Sequence, residues 1–150
     1  MTAAHWHLII SHLPIIGTTI SIILLISGLL LKNGQLKLIA IIFILIMSVF
    51  GFLVHETGEK AEQQLKDEQS INEAAIEAHE EAAKPAFLVH NIAGFLSIMA
   101  LLFYKKKKKL FNIIGILIIS ISLSAAALMS YEGYIGSKIR HTEISNYFNH

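Results

Sequence analysis

Residues 7–31 read HLIISHLPIIGTTISIILLISGLLL and contain no Lys, Arg, Asp or Glu. A helix needs about 20 predominantly apolar residues to cross a hydrocarbon core of about 30 Å. The run from Leu8 to Leu31 meets this length. No basic segment precedes the run and no small-residue cleavage site follows its start, so we interpret it as a retained membrane-spanning helix rather than a removed signal peptide.

Three further apolar runs of similar length predict three more spans. None has the alternating segments of about ten residues that a membrane β-barrel requires, or the polar stripe of a helix in a soluble bundle. We therefore predict one all-α domain over residues 1–150, an integral membrane four-helix bundle embedded in a lipid bilayer. Its spans are expected at about 8–31, 36–54, 85–104 and 110–131.

The composition excludes several kinds of partner and cofactor site. Apolar residues make up 54% of the chain and charged residues 15%, against about 25% charged in an ordinary soluble domain. The net charge of +1 gives no reason to expect nucleic acid as a partner. The absence of cysteine excludes disulfides, thiolate zinc sites, covalently attached c-type haem and cysteine-held iron–sulfur clusters in this chain.

The lysines predict the orientation in the membrane. The two short connections between spans carry Lys32 and Lys37 in one case, and the run Lys105 to Lys109 in the other. The positive-inside rule puts these connections in the cytoplasm. We therefore expect a multi-pass protein of the inner (plasma) membrane with both termini and the long middle connection on the periplasmic side.

The middle connection, residues 55–84, predicts additional helical structure. Ser70 and Glu73 have the spacing of a capping box, and an amphipathic pattern runs from Ile71 to Lys84. Pro85 is expected to end this helix. We predict a short amphipathic helix across the outer mouth of the bundle, with His79 beside its apolar face, and a second helical stretch over residues 59–69.

All eight histidines and all eleven carboxylates fall on the outer side in this topology. His12 and His90 lie about one turn inside the first and third spans, and Gly17 and Gly94 lie near them, where small residues leave room for a flat macrocycle or allow close helix packing. Polar residues inside a membrane usually have a function. We expect a b-type haem (haem b) bound by His12 and His90.

Two alternatives stay open beside haem. One is a non-haem metal ion, copper, zinc or iron, held by histidine and glutamate at the outer mouth. The candidate metal-binding histidines are His7, His12, His55, His79, His90 and His141. The other alternative is a structural role, in which the histidines only form hydrogen bonds near the membrane interface. Catalytic triads, phosphate loops and metalloprotease motifs are absent, so an electron-transfer subunit is expected more than a stand-alone enzyme.

Four motifs in order resemble an uncharacterised family of four-helix bacterial membrane domains. They are His7-x4-His12-x-Pro14-Ile15, Thr57-Gly58, His90-Asn91, and Gly133-x-x-Gly136 followed by Arg140-His141. Members of that family occur fused to Rieske or cytochrome c domains. The resemblance implies electron transfer with a partner of that kind, or a place as a subunit of a larger complex. Leu8 and Leu13 depart from the family pattern, which has Pro and Phe there.

Overall fold

The computed structural model describes residues 3–66 and 73–139, and this part of the chain forms four helices. They are α1 (Ala3–Leu30), α2 (Gly34–Lys66), α3 (Glu73–Phe103) and α4 (Lys108–Ser137). Each helix packs against its neighbour along the chain, and α1 closes the ring against α4. The arrangement is an up-down-up-down bundle in which α1 and α3 lie on a diagonal.

All four helices are long and apolar enough to cross a membrane. Large apolar side chains such as Ile16, Ile23, Phe95 and Ile116 are exposed on the outside of the bundle. A helix that is apolar on every side belongs in a protein core or in lipid. The predicted all-helical bundle is therefore confirmed, and its apolar outer faces indicate a multi-pass protein in contact with a lipid bilayer.

The two ends of the bundle differ in chemistry. One end holds the starts of α1 and α3 and the ends of α2 and α4, and we call it the histidine end. The other holds the α1–α2 and α3–α4 turns, and we call it the lysine end. With 33 and 31 residues, α2 and α3 are each about 45–50 Å long, against a hydrocarbon core of about 30 Å. Both helices thus extend well past an apolar span at the histidine end.

The predicted short amphipathic helix over residues 71–84 is not a separate element. Pro85 lies inside α3, which runs without a break from Glu73 to Phe103, and residues 59–66 likewise continue α2. The prediction that Pro85 ends a helix was wrong for a local reason. Proline leaves the carbonyl of Glu81 without its helical donor, but both residues are exposed, so that carbonyl can bond to solvent. The predicted cap residue Ser70 lies outside the described residues.

The interior is built from small clusters stacked along the bundle axis. Toward the lysine end, fully buried Leu25, Ile41 and Ile118 belong to the largest cluster. Toward the histidine end, Ala86 of α3 packs with Ala125 and Met129 of α4. Beyond it, a last cluster of Ala61 and Ile76 joins the extensions of α2 and α3. These contacts hold the helix extensions together and fix the positions of the side chains between them.

Candidate functional site

Two histidines from diagonal helices meet at the histidine end. The ring centroids of His7 on α1 and His79 on α3 are 6.3 Å apart, and their planes cross at 78°. Both side chains are partly buried. Because α1 and α3 are not adjacent in the bundle, this contact places the two rings near the bundle axis rather than on one outer face. We call this pair the His7–His79 pair.

The two rings are held by the same kind of hydrogen bond. Nδ1 of His7 lies 3.2 Å from the carbonyl oxygen of Val54, and Nδ1 of His79 lies 3.2 Å from that of Glu132. A carbonyl oxygen only accepts, so these contacts favour the tautomer that carries its proton on Nδ1; Nδ1 of His7 also lies 3.4 Å from Oγ1 of Thr57. In this neutral tautomer, Nε2 is the unprotonated nitrogen of each ring. Metal-binding histidines are typically oriented this way, with one ring N–H donated to a carbonyl.

A glycine makes room for each ring. A Cβ atom at Gly58 of α2 would lie 3.2 Å from Cε1 of His7, and one at Gly136 of α4 would lie 3.0 Å from Cε1 and Nδ1 of His79. Each glycine comes one helical turn after the residue whose carbonyl accepts the hydrogen bond. The first hairpin, α1–α2, and the second, α3–α4, therefore hold their histidine in the same manner.

Carboxylates lie close to this pair. Glu62 of α2 interacts electrostatically with His79. Glu132, which supplies the backbone acceptor for His79, has a partly buried side chain. Within residues 3–66 and 73–139, no three His, Asp or Glu side chains are already gathered around one point suited to a metal ion. The pair is thus two oriented imidazoles with acidic side chains nearby, rather than a complete coordination sphere.

His90 occupies a different environment, deeper in the bundle. Its side chain is 2% exposed, and neither ring nitrogen has a hydrogen-bond partner in the described part of the chain. The ring packs on α2, where a Cβ at Gly51 would lie 3.0 Å from Cδ2. The carbonyl of Met47 lies near the ring but outside hydrogen-bonding geometry. Buried polar groups without partners are rare and need an explanation.

Two buried hydroxyls lie level with His90. Thr18 Oγ1 and Ser122 Oγ also have no hydrogen-bond partner among the described residues. Leu25 of α1 faces Gly115 of α4. The two helices are antiparallel, so Thr18, two turns before Leu25, lies at the same level as Ser122, two turns after Gly115. The Ala86–Ala125 contact likewise aligns His90 with Ser122. Three helices thus direct unpaired polar groups into one layer of the core.

The two predicted haem ligands lie in different environments. His12 is exposed, and its Nδ1 lies 2.7 Å from the carbonyl of Leu8 in the same helix, whereas His90 faces the core. The space beside each predicted glycine is already filled by a side chain of α2. A Cβ at Gly17 would collide with Met47, and one at Gly94 would collide with Ser48. In the structure, both glycines serve close packing against α2.

Of the remaining predicted histidines, His55 lies on the surface of α2 and has other partners. His55 is exposed, its ring stacks on Phe87 at 4.5 Å, and its Nε2 lies 3.5 Å from a carboxylate oxygen of Glu59. These contacts are typical of a solvated helix surface. His141, with the Arg140-His141 ending, lies outside the described residues.

Sequence reasoning did not pair His7 with His79, although both were candidates. The recurring signal is a glycine one turn after the acceptor residue on the second helix of each hairpin, at Gly58 and Gly136. Such a signal is too short to find without knowing which helices face each other. The chain matches no protein-family model, no curated protein and no solved structure. Its function is therefore inferred from its own geometry.

Proposed function

We propose that the chain is a membrane protein that binds a transition-metal ion through the His7–His79 pair. The observation that carries this proposal is the matched orientation of the two imidazoles. Both use Nδ1 to donate to a backbone carbonyl, at 3.2 Å in each case, and so both keep Nε2 as a metal-binding lone pair.

The separation of the rings suits one shared ion. Metal–nitrogen bonds are about 2.0–2.1 Å, and a ring centroid lies about 1 Å behind Nε2, so rings that share an ion stand about 5–6 Å apart. The observed centroid separation of 6.3 Å is close to this range. Glu62, which interacts electrostatically with His79, is the carboxylate that we propose as an additional ligand. Imidazole with carboxylate suits zinc, copper or iron.

The site belongs, in this proposal, on the periplasmic side of the inner membrane. The lysine end holds both lysine-bearing turns, and the positive-inside rule assigns such turns to the cytoplasm. The histidine end then faces outward, where the ion is bound from the extracytoplasmic space.

Metal analysis of the purified full-length chain tests this proposal. We expect about one zinc or copper ion per chain after metal-replete purification in detergent, and its loss in His7→Asn and His79→Asn. Asparagine keeps an N–H donor near the Nδ1 position and removes the Nε2 ligand. His55→Asn is the matched control and should retain the ion. Full metal content in both His7→Asn and His79→Asn would contradict the proposal.

Haem-mediated electron transfer is a second candidate, favoured by the two unpartnered ring nitrogens of His90. A cytochrome c or Rieske protein would be the redox partner. The ring is packed against the Gly51 position and is 2% exposed, so the helices would have to separate to admit a porphyrin. A Soret band that survives in His7→Asn but disappears in His90→Leu would favour haem over the metal ion.

A further inference from the structure

A cavity of about 780 Å³ opens at the lysine end, between the two turns of the bundle. Its polar lining consists of Lys32, Lys37, Tyr104, Lys105, Lys108 and Asn112. Four of these six side chains are cationic, and they come from both hairpins. The sequence contains no Asp or Glu in residues 1–55 or 82–131, so no acidic residue in these parts of the helices offsets the charge.

Lys37 is the unusual member of this lining. Its side chain is only 8% exposed, and its Nζ donates to Oδ1 of Asn112 at 2.7 Å and lies 5.7 Å from the ring centroid of Phe111. Within residues 3–66 and 73–139 this amide is its only hydrogen-bond acceptor. An ammonium group has three donors, and a buried charge is costly unless it is paired. The buried Lys37 therefore lacks a negative partner in the described part of the chain.

Two helix starts add positive potential to the same cavity. Gly34 begins α2 and Lys108 begins α4, and both residues line the cavity. The start of α2 is capped, because Oδ1 of Asn33 accepts from the amides of Gln35 and Leu36. At the start of α4, no side chain from the described part of the chain provides a cap at Lys107. The first amides of α4 are thus available to an anion.

We propose that this cavity binds a phosphate group, with Lys37 as its central contact. A tetrahedral oxyanion can accept from the free donors of Lys37, the uncapped amides of α4 and the surrounding exposed lysines. The phosphate comes either from the headgroup of an anionic phospholipid or from a soluble phosphate, since both offer the same chemistry. This site is at the opposite end of the bundle from the His7–His79 pair and does not depend on the metal proposal.

The burial of Lys37 separates this site from general attraction between lysines and acidic membranes. All five residues from Lys105 to Lys109 are exposed, and Lys109 does not line the cavity. Exposed lysines near a membrane attract anionic lipid without a defined geometry. Lys37→Met removes the buried charge and keeps an unbranched side chain that is one atom shorter, while Lys109→Met removes an exposed charge from the same end. The two variants have equal net charge.

Native mass spectrometry of the full-length chain provides the lipid arm of the test. Protein is released from mixed vesicles of phosphatidylcholine and phosphatidylglycerol, and retained lipid is counted. A calorimetric titration of the protein with inorganic phosphate, in neutral detergent, tests binding of a soluble phosphate. We expect Lys37→Met to lower binding in at least one arm about tenfold or more, because a charge-assisted contact is lost, and Lys109→Met to lower it less than threefold.

The two arms identify the source of the phosphate. Selective retention of phosphatidylglycerol, unaffected by millimolar inorganic phosphate, supports a lipid headgroup, and a saturable calorimetric signal with no lipid selectivity supports a soluble phosphate. Equal losses in Lys37→Met and Lys109→Met, or no binding in either arm, would overturn the proposal. Thermal unfolding in neutral, phosphate-free detergent verifies that Lys37→Met is folded, since this variant also loses the hydrogen bond from Lys37 to Asn112.

Discussion

Adding one methyl group at Gly136 should weaken metal binding at the His7–His79 pair, whereas the same change at Gly133 should not. An alanine Cβ at Gly136 would lie 3.0 Å from both Nδ1 and Cε1 of His79, closer than ordinary packing allows. A Cβ at Gly133 would have no neighbour within 4 Å among the described residues. Both glycines lie in α4, so they form a matched pair.

The magnitudes follow from helix propensity and from the hydrogen bond of His79. Glycine to alanine inside a helix stabilises by about 0.5–1 kcal/mol, so Gly133→Ala should raise the free energy of unfolding by about that amount. At Gly136 the same gain is offset, because the ring of His79 must shift by a few tenths of an ångström and lengthen its 3.2 Å contact with the Glu132 carbonyl. Loss of such an orienting contact typically costs about 10–100-fold in metal affinity.

Competition with a chelating dye measures the affinity, and thermal unfolding in detergent measures the stability. We expect Gly136→Ala to bind zinc or copper at least about tenfold more weakly than Gly133→Ala, with a lower unfolding temperature of the metal-free protein. Equal affinities in the two variants would refute the idea that the packing of His79 on α4 orients a metal ligand.

Three further substitutions test the fold and the buried polar layer. Pro85→Ala should stabilise the chain by about 1–3 kcal/mol, because it restores a helical donor to the Glu81 carbonyl; a loss of stability in denaturant-induced unfolding would argue against a continuous α3. Thr18→Val should lower the free energy of unfolding by less than about 1 kcal/mol, or should raise it, because the variant removes a buried hydroxyl that has no partner among the described residues. A larger loss of stability in the same assay would mean that this hydroxyl is hydrogen-bonded. His90→Leu should raise the unfolding temperature of protein purified without added metal or haem, and a marked drop would indicate that a ligand occupies its ring nitrogens.

The helices were predictable because hydropathy depends on the sequence alone. The apolar runs mark four spans, and each coincides with one observed helix, although the first and third runs extend one residue past the ends of α1 and α3. The extent of α3 was not predictable from Pro85, because the cost of a proline depends on whether the freed carbonyl can reach solvent. That exposure is a property of the assembled bundle.

The site was less predictable than the spans. Residues of α1 are apolar on nearly every side, so periodicity does not tell which histidine of this helix faces inward. His12 was favoured for its depth in the span and faces outward, whereas His7 near the helix start faces His79. His79 was expected beside an apolar face, and it does pack against Gly136.

The burial of Lys37 at the lysine end could not be predicted from the sequence either. In the sequence it is one of several lysines in the short connections, where a lysine is expected to remain solvated. Its burial follows from the packing of the two hairpins, which brings Asn112 and Phe111 of α4 against α2. Burial in such a case depends on contacts between residues far apart in the chain.

X-ray absorption of the zinc- or copper-loaded full-length protein tests the metal site most directly, because it counts the imidazoles around the ion. We predict two imidazole nitrogens at about 2.0–2.1 Å in the wild type, and one or none in His7→Asn and in His79→Asn. An unchanged imidazole count in both variants, or an ion ligated only by oxygen in the wild type, would contradict a site built on these two rings.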